Sequence, residues 1–150
     1  MMLALALAVS AAVSAAPALA PSAPDPITVI VGATLVDGGG RAPVVDSVVV
    51  LRGATIVTVG DRMRTAIPKG AALVDGRRLW VAPAPATAVP AAALLPAIAE
   101  ILRGPAARVV AGQPAHMALL ASDPRAPVPA GAADPVRRVW TSGKARDRRE

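Results

Sequence analysis

The sequence predicts a mainly β fold: a small β-sandwich built from N- and C-terminal segments, with one short helix between them. Three observations lead there. Short runs rich in Val, Ile and Thr recur through residues 27–83, separated by turns that carry Gly or Pro. One stretch, residues 91–104, instead has its apolar residues at helical spacing. Strand-like patterning then returns from residue 116. An order of strands, helix, strands is what two separate chain segments give when they build one sheet system around an insertion.

Composition sets the core. The chain has 150 residues, enough for one domain with a modest interior. Hydrophobic residues make up 54%, yet there is no Phe or Tyr, and Trp80 and Trp140 are the two tryptophans. The interior must therefore be packed from Val, Leu, Ile and Ala. Each buries less area than an aromatic ring, at roughly 25 cal/mol per Å², so a thin core and marginal stability are expected. The 16 prolines and 12 glycines predict several irregular segments. The absence of cysteine excludes disulfides, thiolate metal sites, a cysteine nucleophile and a lipidated cysteine anchor.

The elements follow in order. Residues 1–20, "MMLALALAVSAAVSAAPALA", are uncharged and apolar and read as a secretory signal, which places the protein in the periplasm or outside the cell. Cleavage after Ala20 or after Ala15 fits the small-residue rule, although Pro21 disfavours the first. A transmembrane helix is the alternative, but Pro17 interrupts the run and it is rich in Ala rather than Leu. No stable membrane insertion is expected. Residues 21–26, "PSAPDP", form a linker. The sandwich domain is assigned to residues 27–144. Strands are expected over residues 27–37 with a break at Gly32, over 44–53, over 54–60, over 72–76 and over 77–83. Residues 84–90 are an Ala/Pro linker. The helix spans residues 91–103, with Gly104 as its C-cap and Pro96 either kinking it or starting its ordered part. Strands then return over residues 116–122 and 136–144, and residues 145–150 form a basic tail.

The polar candidates are few. His116 is the single histidine, and a lone imidazole with no orienting carboxylate or nucleophile is not a catalytic constellation. It reads as a strand-end residue. The "DGGGR" run at residues 37–41 is followed by Pro43 and a Val-rich strand, whereas a phosphate cradle needs a helix N-terminus there. Asp37, Asp46, Asp61 and Asp75 all fall at expected turns, where Asp caps the backbone. The net charge is +6, and residues 137–150 hold six basic against two acidic side chains. Beyond Trp140 no aromatic interleaves them, so no nucleic-acid partner is expected. The helix is apolar around much of its surface, with Glu100 and Arg103 its charged residues, and covers the sheet or supports self-association.

Several short patterns together resemble one family. "TLVDG" at residues 34–38 is followed by a Val-Gly-Ile-Val-Gly hairpin pattern over residues 50–60. Pro68, Gly70, Asp75, Gly76 and Pro83 then follow in order. This series resembles the N-terminal segment of the amidohydrolase superfamily. Near the other end, "AGQPAHMALLASDP" at residues 111–124 resembles that family's P-G-K-x-A-D-L-V-L-L-x-x-D-P strand, with His116 where the aspartate stands. "VRRVWTSGKARDR" at residues 136–148 resembles the closing strand.

The resemblance implies a composite β-sandwich beside a metal-dependent (β/α)8 barrel that uses zinc or another divalent metal to hydrolyse C–N bonds. The barrel would lie between the two segments, but residues 84–110 are too short for about 250 residues of barrel. Where the family's first barrel strand carries a His-x-His pair, this sequence has Val89 and Ala91. The turn aspartate is Thr87 and the turn glycine Ala84. Two histidines two apart share one face of a strand and so bind one metal, whereas Val and Ala cannot. No catalytic, cofactor-binding or metal-ligating residue is assigned, and no cofactor is expected. The chain reads as a non-catalytic remnant, inactive alone. The alternative is an interaction or oligomerisation module, self-associating or pairing with a barrel-bearing chain.

Overall fold

The structure, a computed structural model, describes residues 21–105 and 108–147. The signal-like run at residues 1–20 and the tail residues 148–150 lie outside the described residues. In chain order the elements are β1 (Ile27–Leu35), β2 (Val44–Arg52), β3 (Thr55–Asp61), β4 (Ala72–Asp75), β5 (Trp80–Pro83), α1 (Ala91–Arg103), β6 (Met117–Leu120), β7 (Val136–Thr141) and β8 (Lys144–Asp147). The chain is mainly β, as its patterning predicts. No helix among the described residues is long and apolar enough to cross a membrane.

β1 organises the sheet. It pairs antiparallel with β2 along its whole length, and β2 pairs antiparallel with β3. On its other side β1 changes partner. Thr28 to Val31 run parallel to β4, while Thr34 and Leu35 run parallel to Trp80 and Val81 of β5. The change falls at Gly32, the expected break, where φ is +83° and the register with β2 slips. A left-handed residue inside a strand is a bulge, and glycine takes it without steric cost. The Val31 carbonyl accepts from the Gly76 N–H at 2.8 Å, and the Thr34 N–H donates to the Leu79 carbonyl at 2.9 Å, so both halves of β1 stay paired. Ser47, the buried polar residue at this bend, donates its hydroxyl to the Ala33 carbonyl at 2.7 Å.

β5 pairs antiparallel with β6, from Trp80 opposite Leu120 to Pro83 opposite Met117. This ladder joins the N-terminal segment to the C-terminal one. The path is β3-β2-β1-β5-β6-β7-β8, with β4 beside β1. The two halves are thus continuous, and the sandwich closes because this one mixed sheet folds over. Closure is made at the hairpin tips. The Ile56 N–H donates to the Gln113 carbonyl at 2.9 Å, the Ala115 N–H to the Ala54 carbonyl at 2.8 Å, and the Gly143 N–H to the Ala115 carbonyl at 3.2 Å. A Cβ on Gly143 would lie 1.8 Å from the Gly53 carbonyl oxygen, so no side chain fits where the β7–β8 turn meets the β2–β3 turn.

Strand alternation distributes the apolar side chains over three clusters. The enclosed core holds Ile30, Leu35, Val49, Leu51, Ile56, Val81, Met117, Leu119 and Trp140. Ala82, Ala118 and Leu120 point the other way, where Leu94 and Ile98 of α1 cover them. Both faces of β6 are therefore buried. A smaller cluster of Val29, Val48 and Val50 lies on the outer face of β1 and β2. Trp140 fills the enclosed core at 1% exposure, supplying the one large ring that the aliphatic composition lacks.

The structure settles two details at the helix ends and corrects two elsewhere. The helix is already formed from Ala91, so Pro96 lies within it on an exposed position and removes one ladder hydrogen bond. Gly104 caps the helix by donating its N–H to the Ile101 carbonyl, but at φ −99° it is extended. Pro105 follows it, and the residue before a proline is driven out of the helical region. The run at residues 136–144 is a hairpin rather than one strand. Ser142 and Gly143 both have positive φ, the turn that matches strand twist, and β8 reaches Asp147, into the stretch assigned as tail. Asp46 lies inside β2 rather than at a turn, with φ +51° beside the register shift.

Candidate functional site

The place to look for chemistry is the C-terminal end of β5, where the chain leaves the sheet. The Ala84 N–H donates to the His116 carbonyl at 3.1 Å and continues the β5–β6 ladder past Pro83. Prolines at 85 and 90 then keep the connecting segment out of helix, with a bend at residues 86–87, and α1 begins at Ala91. No side chain caps the helix start, and its first turn has no acidic residue.

Two cavities flank this exit. The first, about 280 Å³, is lined by Thr87, Val89 and Ala91 together with Val139, Thr141 and Arg146. Both positions where the resemblance puts metal-binding histidines are therefore brought to one cavity, and both are hydrocarbon. They cannot donate a lone pair to zinc or any other divalent ion. Among the described residues no three His, Cys, Asp or Glu side chains group to hold a metal ion. The residues present do not fit the metal that the family would carry.

The second cavity, about 320 Å³, lies on the other side of residues 83–86 and is lined by Ile101, Arg108, Gln113 and His116 among others. His116 sits immediately before β6, and its Nδ1 accepts the Ser142 N–H at 3.2 Å. It ties the β7–β8 turn to the start of β6, a positioning contact at a strand end. Arg108 was not singled out from the sequence. Its Nη2 lies 3.3 Å from Asp37 Oδ2, across a separation of 71 residues that no local spacing signals. Asp37 also faces Arg41 at 3.9 Å. The "DGGGR" run is thus a turn whose aspartate is an ion-pair partner, and β2 rather than a helix follows it.

The remaining aspartates act on the backbone and on nearby arginines. Asp61 Oδ1 accepts the Arg64 N–H at 3.0 Å. Asp75 accepts from the Arg77 N–H and from its guanidinium at 2.7 to 3.1 Å, which holds the Asp75 carboxyl down to about 2. Arg125 lowers Asp123 by the same kind of contact. A carboxylate held charged across the physiological range is poorly matched to proton transfer near neutrality. These exposed pairs are turn locks.

No protein-family model matches the chain, and neither does any curated protein. Among solved structures, the chain is similar to phenylurea hydrolase B, with 38% identity over 38% of this chain and 12% of that one, at a TM-score of 0.36. It is also similar to molinate hydrolase, with 27% identity over 41% of this chain and 13% of that one, at 0.37. A triazine hydrolase variant matches with 21% identity over 40% and 13%, at 0.35. The matched stretch spans about one eighth of the length of these structures.

Proposed function

We propose that this chain is an amidohydrolase-like β domain that does not catalyse hydrolysis by itself and takes up no divalent metal of its own. The observation that carries this reading is the β5–β6 joint. The motif-bearing segments pair directly, Pro83 opposite Met117, and the described residues between them form one helix, with Val89 just before it and Ala91 at its start in the ligand positions. Hydrolysis of a C–N bond by metal-bound water needs an ion with an open coordination position. That requires ligands which the described residues do not group.

Metal analysis of the purified chain tests it, run together with an amidase and esterase panel. The expected outcome is substoichiometric zinc, manganese and iron, and turnover no faster than buffer. One tightly bound divalent ion per chain with measurable turnover would overturn the proposal.

A second reading, an interaction module, draws on the outer side of β4. Among the described residues this strand pairs with β1 alone, and Leu73 upon it is 65% exposed beside Ile67 at 39%. An unpaired strand edge beside exposed apolar side chains is a surface that takes a partner strand. Light scattering after size exclusion separates the two, since a monomer at all concentrations speaks against self-association.

A further inference from the structure

We propose that the cavity beside the end of β5 binds a small carboxylate with a short apolar body. This does not rest on the chain being inactive. The cavity, about 320 Å³, is walled by Pro83, Ile101 and Pro114, and its polar side chains are Arg108, Gln113 and His116. Among the described residues no acidic side chain lines it.

The charge around Arg108 is unbalanced. Asp37 is shared between Arg108 at 3.3 Å and Arg41 at 3.9 Å, so two guanidiniums face one carboxylate. Only Nη2 of Arg108 reaches Asp37. Its Nε is buried and has no hydrogen-bond partner among the described residues. An unmet donor on a charged group is costly, so the Arg108 guanidinium, which lines the cavity, is under-neutralised by the described residues alone. His116 adds a second donor. Its Nδ1 accepts the Ser142 N–H, so the neutral ring carries its proton on Nε2. The site thus combines cationic and neutral donors with an aliphatic wall, in a volume at the lower end of small-molecule pockets. A short-chain aliphatic carboxylate matches both parts, whereas phosphate matches the charge alone.

The test uses the whole chain, with hexanoate as probe and hexanamide and inorganic phosphate as comparisons. Titration is followed by the Arg108 Nε–Hε resonance in ¹H–¹⁵N spectra. Hexanoate is expected to shift that resonance saturably and to bind at least about tenfold more tightly than hexanamide or phosphate. Arg108→Met is expected to lose about tenfold or more. Because that substitution also removes the Asp37 ion pair, the resonance of the unsubstituted chain gives a result independent of the variant's folding. No saturable shift would overturn the proposal. So would equal binding of hexanamide, equal binding of phosphate, or unchanged binding by a folded Arg108→Met chain.

Discussion

Ile98→Ala is expected to release α1 while leaving the enclosed core intact. Ile98 is fully buried and, with Leu94, is one of two residues by which the helix is anchored on the outer face of β5 and β6. The substitution removes three carbons, at about 0.8 kcal/mol each. The space left behind adds to that loss, for a total of about 3 kcal/mol, within the usual range for such truncations. A 13-residue helix is marginal alone, and Pro96 has already removed one of its hydrogen bonds. The cost should therefore fall on the helix first. The two tryptophans separate the outcomes. Trp80 packs partly against the cluster under α1, and Trp140 is buried in the enclosed core. In ¹H–¹⁵N spectra the Trp80 indole peak should move and broaden while the Trp140 peak stays. Amides of α1 should exchange about a hundredfold faster, since each 1.4 kcal/mol is tenfold, with β1 and β2 unchanged. If β1 and β2 amides accelerate by the same factor, the helix and the enclosed core are one cooperative unit, and the division into separate clusters is wrong.

Two further outcomes are expected. Asp75 is held down from 3.8 to about 2, chiefly by the side-chain hydrogen bonds from Arg77, so its contribution to stability is present above the usual carboxylate value and is lost as pH falls from about 4 through about 2. In Arg77→Met the Asp75 carboxyl should titrate close to its ordinary value, read from its carboxyl ¹³C shift. A normal midpoint in the unsubstituted chain would contradict the pairing. Gly143→Ala should destabilise the domain by about 2 kcal/mol more than Gly131→Ala in urea unfolding. Both residues have positive φ, +75° and +81°, but only a Cβ at 143 meets a backbone atom, the Gly53 carbonyl oxygen. Equal losses would show that the two hairpin tips do not close the sandwich.

Most of the strands are legible because β-branched alternation and glycine turns are local signals. Ile27–Leu35, Val44–Arg52 and Thr55–Asp61 all fall within a residue or two of the patterned runs. The helix boundary is legible for the same reason, from Leu94, Ile98 and Ile101 at helical spacing. The partner change of β1 is not, because pairing with β4 and then β5 depends on contacts across some forty residues of chain. The β7–β8 hairpin did carry a signal, the Ser142–Gly143 pair, but it lay inside a stretch that resembles a single closing strand. Asp46 reads as a turn residue because aspartate tolerates positive φ. It does adopt positive φ, but at an irregularity within β2. In the site, the hydrocarbon nature of Val89 and Ala91 is plain from the sequence, while Arg108 beside Asp37 is set by the fold alone.

The β5–β6 joint has a consequence for how this domain tolerates change. The chain exits after Pro83 and re-enters at Met117, which are direct ladder partners on neighbouring strands, so the two ends of whatever lies between are about 5 Å apart. Closing a loop grows costlier only with the logarithm of its length, about 0.6 kcal/mol per doubling. Lengthening the stretch between residues 84 and 108 about eightfold would cost the sheet about 2 kcal/mol. The ladder therefore works as a socket indifferent to the size of its insert. Residues 27–83 and 109–147 can keep one architecture whether they enclose a helix or an entire second domain.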